Sequence, residues 1–298
     1  MKKSMIILMV MILVLSLSSC SKAKEPLRLG TMPTYSAAIY AVGIEQGFFE
    51  DANVEVELSV FRSARDRDAA ATAGELDGFM TDIMGAINLN ANNFNFLMTS
   101  SEYEVFGVMA GGELEEKSIA DTRIGISENT VIEFIVDTYL DSQIKKVNIA
   151  GLPDRMGALL AGELDLGVFP NPFVGIIMGK GGQMTFDTSS EDFQPVVVVF
   201  SEDYLESDEG SIQAFYDGYA KTIEYMQRAN YDDYKDALVV HGLATEENID
   251  LFRLPVDQFG LNPVDKSTFT GIYNWMLSKG LIEEEIKFEY IYTGQFVK

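Results

Sequence analysis

Apolar and polar positions divide the chain into short segments of two kinds. Runs such as Leu27 to Gly30 and Arg123 to Ile126 predict strands, and stretches with an apolar residue every three or four positions predict helices. Strand, turn and helix follow one another from residue 27 to 110, and the same order begins again between 123 and 169. This alternation is typical of an α/β protein in which helices cover parallel sheets, here in two lobes.

A short internal repeat indicates that the two lobes share one plan. The pentapeptide AGELD occurs at residues 73–77 and again at 161–165. In each copy a predicted helix ends at the glycine, a polar turn follows, and a strand leads to a loop. A chance match of five common residues is the alternative.

The rest of the chain predicts a return to the first lobe. Val196 to Phe200 is an apolar run that predicts a crossover strand, and the region after it has helical periodicity. We therefore expect lobe I to hold residues 27–108 and 200–298, and lobe II to hold residues 109–199.

The amino terminus has the pattern of an export signal. Lys2 and Lys3 precede an uncharged apolar run from Met5 to Leu17, which is shorter than the stretch of about 20 residues that spans a membrane. Residues 1–19 are predicted as a signal peptide, and Leu17-Ser18-Ser19-Cys20 resembles the bacterial lipobox. Cys20 is then the lipidated residue of a tether at 20–26, which holds the protein on the extracytoplasmic face of the cell membrane. An ordinary signal peptide with an incidental cysteine is the alternative.

Composition excludes some partners. The whole chain has a formal charge of −24, and residues 20–298 have −26, because residues 1–19 contain two lysines and no acid. Such an acidic surface repels polyanions, so no nucleic-acid partner is expected. Apolar residues make up 47% of the chain and Cys20 is its single cysteine, so a hydrophobic core without disulfides is expected, in a monomer.

Several segments together resemble a known family. They are Gly30-Thr31, the stretch Glu45-Gln46-Gly47-Phe48-Phe49, residues 61–70 and 73–78, and Thr81-Asp82. They look like the opening of the solute-binding proteins that serve ABC importers of nitrate, taurine, alkanesulfonates and thiamine-pyrimidine precursors, and the resemblance covers nearly the whole mature chain. The resemblance implies a two-lobed type II periplasmic-binding-protein fold, a ligand cleft between the lobes, a small-molecule solute and an ABC permease as partner.

Ligands of open α/β lobes bind beyond the carboxyl ends of the strands, against helix amino termini. This rule selects four loops. The candidate ligand contacts are Met32, Tyr35, Ser36, Ser63, Arg65, Thr81, Asp82, Ser127, Asn129, Thr130, Phe169 and Asn171. Helix capping is the alternative role of Ser36, Asp82, Ser127 and Thr130, and ion pairing with Asp66 and Asp68 is that of the arginines at 62 and 65.

The ligand class stays open at this point. Tyr35, Phe169 and Asp82 favour a neutral or cationic nitrogenous heterocycle, such as a pyrimidine precursor, held by ring stacking and a carboxylate. A small anion such as an alkanesulfonate or nitrate is the alternative, held by helix amino termini and Arg62 or Arg65. Closure of the lobes on the solute is expected, with sparse contact between them otherwise.

An enzyme related to pyrimidine synthases on the same fold is the competing class. His241 is the single histidine, and the sequence contains no nucleophile elbow, phosphate loop or His/Cys metal cluster. We therefore expect a binding protein without catalytic residues, cofactor or metal. An adhesion or scaffold lipoprotein is disfavoured by the repeated two-lobe pattern.

Overall fold

The computed structural model describes residues 25–113, 118–191, 193–252, 254–283 and 285–297. The predicted signal peptide and Cys20 lie outside the described residues. None of the described helices is both long enough and apolar enough to cross a membrane.

Ten strands and eleven α-helices make up the described fold. The strands are β1 (Leu27–Thr31), β2 (Val56–Val60), β3 (Gly78–Asp82), β4 (Phe96–Glu102), β5 (Phe106–Ala110), β6 (Arg123–Ile126), β7 (Lys145–Asn148), β8 (Leu166–Pro170), β9 (Gln183–Asp187) and β10 (Val196–Ser201). The helices are α1 (Tyr35–Glu45), α2 (Phe48–Asp51), α3 (Ala64–Thr72), α4 (Ile83–Ala91), α5 (Val131–Tyr139), α6 (Leu152–Leu160), α7 (Phe173–Gly179), α8 (Glu202–Met226), α9 (Asp236–Val240), α10 (Lys266–Ser278) and α11 (Phe288–Ile291).

The strands form two five-stranded sheets, one in each lobe. The first has the order β2-β1-β3-β10-β4, and the second has the order β7-β6-β8-β5-β9. The chain leaves the first sheet between β4 and β5 and returns between β9 and β10. The lobe boundaries expected from the sequence lie inside β5 and β10.

The prediction of parallel sheets is correct for three strands of each sheet and wrong for the crossover strands. β1, β2 and β3 are parallel, as are β6, β7 and β8. β10 runs antiparallel to β3 and β4, and β5 runs antiparallel to β8 and β9. Parallel neighbours in a sheet are normally connected by a right-handed crossover through a helix of the same lobe. β5 and β10 are each preceded by a strand of the other lobe, so they have no such connection.

The AGELD repeat has the same structural role in both lobes. Gly74 and Gly162 follow a helix in the left-handed conformation, with φ of 75° and 74°, which glycine adopts without strain. The aspartates that end the two copies then each accept a hydrogen bond from a backbone N–H of a neighbouring strand. Asp77 accepts from Arg28 at 2.9 Å, and Asp165 accepts from Arg123 at 2.7 Å.

The carboxyl-terminal helices belong to the first lobe. α8 packs on α1 and α2, and α10 packs on α4. Phe49 and Phe215 stack at 5.4 Å between ring centroids and Phe200 packs on Phe215 at 5.7 Å, all of them buried. This apolar core holds α8 against α2 and β10 within the first lobe.

Candidate functional site

A cavity of about 70 Å³ lies between the lobes. It is lined from the first lobe by Met32, Thr34, Ala64, Arg67, Met80, Thr81 and Asp82, from the crossover segments by Glu104, Phe106 and Val196, and from the second lobe by Ser127, Thr130, Val131, Ile132, Ala150, Leu152, Arg155 and Pro170. The lining residues lie where β1, β3, β6 and β8 end and where α3 to α6 begin. This is the place in an open α/β sheet where ligands bind.

Arg67 is the charged side chain that α3 places in the cavity wall. It is 3% exposed, and its Nη2 donates to Asp68 Oδ1 at 2.7 Å and to Thr81 Oγ1 at 2.8 Å. The guanidinium lies 5.5 Å from the ring centroid of Phe79. Asp68 therefore compensates the charge of Arg67 within the first lobe.

Asp82 ends β3 and connects the two lobes. Its Oδ1 accepts from Gly85 N at 2.7 Å, which caps α4, and its Oδ2 accepts from Val131 N at 3.3 Å, at the start of α5 in the other lobe. Burial raises the pKa of Asp82, against the lowering effects of Arg67 and the two N–H groups. Both oxygens are therefore already occupied by backbone donors.

The loop before α5 brings Ser127 and Thr130 to the cavity. Thr130 Oγ1 caps α5 by accepting from Ile132 N at 3.2 Å and donates to the carbonyl of Ser127 at 2.9 Å. Asn129 occupies the left-handed region, with φ of 57°, and its N–H donates to Glu133 Oε2 at 2.9 Å. Glu133 thus holds the conformation of this loop.

Arg155 is the most deeply buried cation of the cavity wall, with 1% of its side chain exposed. Its Nε donates to the carbonyl of Val168 at 3.1 Å and its Nη1 to that of Ile149 at 2.7 Å. No carboxylate among the described residues pairs with it, and Nη2 makes no hydrogen bond within that part of the chain. Burial lowers the pKa of Arg155 to about 9. A guanidinium in this position lacks a counter-charge, which destabilises it.

Glu104 lies between β4 and β5, where the chain crosses from one lobe to the other. It is 1% exposed, and its Oε1 accepts from Val105 N at 3.3 Å and Asn171 N at 3.2 Å. Its Oε2 has no hydrogen-bond partner among the described residues. Burial raises the pKa of Glu104 well above the usual value of a glutamate.

A cluster of charges bridges the lobes at their outer edge. We call it the Glu133 cluster; it consists of Glu133, Asp137, Lys146, Trp275 and Lys279. Glu133 Oε1 accepts from Lys146 at 2.9 Å and from Lys279 at 2.8 Å. Asp137 Oδ2 accepts from Lys279 at 3.1 Å and from Trp275 Nε1 at 3.2 Å.

A second contact between the lobes involves Leu152, one of the lining residues of the cavity. Leu152 N donates to the carbonyl of Arg62 at 3.3 Å, and the Arg62 guanidinium lies 3.9 Å from Asp154. Together with the bond from Val131 to Asp82, these contacts join the lobes on several sides of the cavity.

Five of the twelve predicted contacts line the cavity: Met32, Thr81, Asp82, Ser127 and Thr130. The other seven lie near it without lining it. Tyr35 is buried and packs edge-on against Phe252 at 6.3 Å, and Phe169 is fully buried, with the Arg155 guanidinium 5.1 Å from its ring centroid. Asn171 Nδ2 donates to the carbonyl of Val105 at 3.4 Å, and Asn129 is exposed.

The capping and ion-pair predictions have mixed outcomes. Asp82 and Thr130 do cap helices. The prediction that Ser36 caps α1 is wrong, because Thr34 occupies the extended cap position and Ser36 lies buried inside the helix. Ser63 caps α3 instead, accepting from Asp66 N at 3.1 Å. Arg65 is exposed, and the arginine that pairs with Asp68 is Arg67.

Sequence reasoning missed Arg67, Glu104 and Arg155. A signal exists for two of them. Glu104 is an acid between two apolar runs that both predict strands, and Arg155 lies on the face of α6 that its apolar residues Leu152 and Leu159 mark as buried. An ionisable residue at such a position is buried, and a buried ionisable residue points to a functional site.

Other residues with possible chemistry lie elsewhere. His241 Nε2 is 3.1 Å from Glu45 Oε1, a contact outside the cavity. No group of three or more His, Cys, Asp or Glu side chains is arranged to hold a metal in the described portion.

Several solved structures of solute-binding proteins have the same architecture as this chain. The ligand-binding component of an ABC-type import system from Staphylococcus aureus, solved with zinc bound, has 16% identity and a TM-score of 0.72, over 92% of this chain and 98% of that one. The alkanesulfonate-binding protein of Xanthomonas axonopodis pv. citri, bound to MOPS, has 12% identity and a TM-score of 0.74, over 91% and 100%. The aliphatic sulphonate binding protein of Escherichia coli has 12% identity and a TM-score of 0.73, over 90% and 97%.

No protein-family model and no curated protein matches the chain. At these identities the structural likeness shows the fold. The chain has the two-lobed α/β fold of the periplasmic binding proteins, as the sequence predicts, and its cavity lies at the junction of the lobes.

Proposed function

We propose that the chain is the extracytoplasmic solute receptor of an ABC importer and that its solute carries an anionic group. The main support for this proposal comes from Arg155. This residue is 1% exposed and lines the cavity, and its guanidinium has no carboxylate partner among the described residues. A solute anion supplies the missing counter-charge and accepts from Nη2. Charge-assisted bonds of this kind contribute about 1.5 to 3 kcal/mol each.

The fold and the cavity support a transport role. Two lobes joined by two crossover segments form a hinge, and both lobes supply residues to one cavity, so closure completes the site. The structural neighbours named above include ligand-binding components of ABC import systems. A permease is accordingly proposed as the partner, and a monomer as the working form.

A nitrogenous heterocycle is the second candidate ligand. Asp82 and Glu104 are buried carboxyl groups in the cavity wall, and they favour a solute that donates hydrogen bonds. The ring stacking on Tyr35 and Phe169 that the sequence predicts does not occur in this cavity, because neither residue lines it and Phe106 is the aromatic residue of the lining. The small anionic solute is therefore the ligand that the geometry supports best.

The proposed role is binding without chemical conversion. Purified protein should release a co-purified solute on denaturation, and mass spectrometry of that solute identifies its charged groups. Isothermal calorimetry should give one binding site per chain, with no product after prolonged incubation. A solute without an acidic group contradicts the role of Arg155, and multiple turnover contradicts the receptor function.

The proposed lipid anchor at Cys20 has its own test. Cys20→Ser should move the protein from the membrane fraction to the soluble exported fraction, because the acyl chains need the thiol and the new amino terminus of the processed chain. The thermal melting temperature of the purified domain serves as the control and should not change. Unchanged membrane partition of the variant contradicts lipidation.

A further inference from the structure

The Glu133 cluster contains residues of both lobes, and its members from the first lobe come from one helix. Trp275 and Lys279 lie in and just after α10, which packs on α4, the helix that Asp82 caps at the cavity. Lys279 Nζ donates to Glu133 Oε1 at 2.8 Å and to Asp137 Oδ2 at 3.1 Å, on α5 of the second lobe. These bonds therefore form only when the two lobes are together.

Trp275 adds an aromatic contact between the lobes. Its ring packs edge-on against Phe134 of α5 at 5.8 Å between centroids, and its Nε1 donates to Asp137 at 3.2 Å. The Lys279 ammonium lies 5.1 Å from the centroid of the same ring. Phe134 in turn stacks on Phe193, which is buried in the second lobe. The indole thus joins the lobes by packing as well as by hydrogen bonding.

Glu133 connects this contact with the cavity. Its Oε1 accepts from Lys279, while its Oε2 accepts from the backbone N–H of Asn129 at 2.9 Å. Asn129 has φ of 57°, a conformation that few residues other than glycine adopt and that the bond to Glu133 stabilises. Ser127 and Thr130, on either side of it, line the cavity. One carboxylate therefore holds both the loop beside the solute and the cation of the other lobe.

We propose that the Glu133 cluster is an interlobe latch, in which Trp275 and Lys279 hold the lobes together before a solute arrives and Glu133 couples closure to the loop at residues 127–130. These three side chains are positioning residues, since the described lining of the cavity includes none of them. The apparent affinity of a site is scaled by the fraction of the protein in its binding-competent form. A stronger latch therefore gives tighter binding without touching the solute. The effect on affinity rests on the proposed function, whereas the effect on the empty protein does not.

The empty protein tests the latch through Trp275, the single tryptophan of the chain. Lys279→Met removes the cation of the first lobe, while Lys146 keeps Glu133 and Asp137 paired within the second. The ratio of closed to open protein should fall about threefold to tenfold, because two partly exposed charge-assisted bonds are lost. After exhaustive dialysis, acrylamide quenching of Trp275 fluorescence should therefore increase, and small-angle scattering should give a larger radius of gyration.

The response to salt separates a latch from a merely structural role. The side chain of Lys279 is 35% exposed, so its ion pairs are open to screening. Quenching of Trp275 in the wild-type chain should increase as NaCl is raised from about 0.05 M to about 1 M, because salt weakens the bonds that join the lobes. In Lys279→Met it should stay constant over the same range.

Two further variants serve as control and rescue. Lys266 lies in the same helix as Trp275, carries the same charge as Lys279 and pairs with Glu289 inside the first lobe. Lys266→Met should therefore quench like wild type and keep its salt response. Lys279→Arg should restore both, because a guanidinium can bond to the two carboxylates of α5. The melting temperature of each variant shows whether it folds.

Affinity is measured by calorimetry with ethanesulfonate, a small anion, and with the co-purified solute once it is identified. Lys279→Met should bind about threefold to tenfold more weakly than wild type, and Lys266→Met and Lys279→Arg should stay within about twofold. In a Glu133→Gln background, Lys279→Met should weaken binding by less than about twofold, because both changes remove the same ion pair.

The results distinguish this inference from the receptor function. Greater quenching in Lys279→Met, together with weaker binding, supports both. Unchanged quenching, scattering and salt response overturn the latch, whether or not the anion binds. Greater quenching with unchanged affinity overturns the coupling of the latch to the cavity. Absence of binding in the wild-type chain, together with no co-purified solute, overturns the receptor function, and the fluorescence alone then decides the latch.

Discussion

Two groups of charges lie between the lobes, and they differ in how completely their charged atoms are paired. In the Glu133 cluster, Glu133 is 6% exposed and its oxygens accept from two lysines and a backbone N–H. Burial alone would raise the pKa of Glu133, but these donors outweigh it and lower the pKa to about 2. In the cavity, Arg155 has no counter-charge and its pKa is lowered by burial.

The difference separates structural charges from binding charges. A charge that is paired in the folded state stabilises that state, and in the Glu133 cluster it holds the lobes together. A charge that the fold buries without a partner is destabilised until something else pairs with it. The chain has 46 acidic residues, so an arginine without an acidic partner is not explained by a shortage of carboxylates.

The largest expected effect is on solute affinity, from Arg155→Met. Removal of the guanidinium should weaken binding of the co-purified solute by about 3 kcal/mol, or roughly a hundredfold, measured by calorimetry. Its free energy of unfolding should change by less than about 1 kcal/mol, because relief of the buried charge offsets the lost bonds to carbonyls. Arg65→Met is the control, since Arg65 is exposed and outside the cavity lining, and it should bind normally. Wild-type affinity in Arg155→Met would remove the distinction between the two groups of charges.

The next effect is on stability, from Glu133→Gln. Loss of the carboxylate leaves Lys146 and Lys279 with Asp137 alone, and the free energy of unfolding at pH 7 should fall by about 2 kcal/mol in urea denaturation. The exposed Glu128→Gln is the matched control in the same lobe and should change it by less than about 0.5 kcal/mol.

The pH dependence of that variant follows from the lowered pKa. Glu133 has its ordinary pKa of 4.5 in the unfolded chain and about 2 in the folded one, so its ionised form stabilises the fold above pH 4.5. The contribution is lost as the pH falls from 4.5 toward 2. The difference between wild type and Glu133→Gln should therefore shrink over this range. A difference that is constant from pH 7 to pH 2 would show that packing, not charge, is responsible.

The smallest effect is expected from Asp82→Asn. Both oxygens of Asp82 already accept from backbone N–H groups, so the solute gains little from its charge. Calorimetry should show less than a tenfold loss of affinity, caused by the weaker bond to Val131 across the lobes. A hundredfold loss would instead make Asp82 a direct partner of the solute and favour the heterocycle over the anion.

The sequence predicts the fold well because the fold depends on local patterns. The spacing of apolar residues and the turn-forming residues between them locate the strands within a few residues, and the AGELD repeat marks the same turn in both lobes. The direction of β5 and β10 was missed, because an apolar run does not show which way the chain enters a sheet. For the cavity, the loop rule found Met32, Thr81, Asp82, Ser127 and Thr130, which are near strand ends.

Residues of the cavity that depend on packing between distant segments were missed. Arg155 lies within a helix and Glu104 within a crossover segment, so neither belongs to the loops after parallel strands. Tyr35 and Phe169 were favoured as stacking residues because they lie at or just after the ends of parallel strands. Both rings are instead buried inside the lobes. Their burial depends on tertiary packing, which their position in the sequence does not show.

The bond between Leu152 N and the carbonyl of Arg62 has a kinetic consequence. It joins the two lobes beside the cavity, as do the Asp82 to Val131 bond and the Glu133 cluster, so the lobes open only when all three are disrupted. The residence time of the solute is then set by the frequency of that opening rather than by the solute contacts alone. A permease that binds the two lobes in their separated positions would accelerate release without touching the solute.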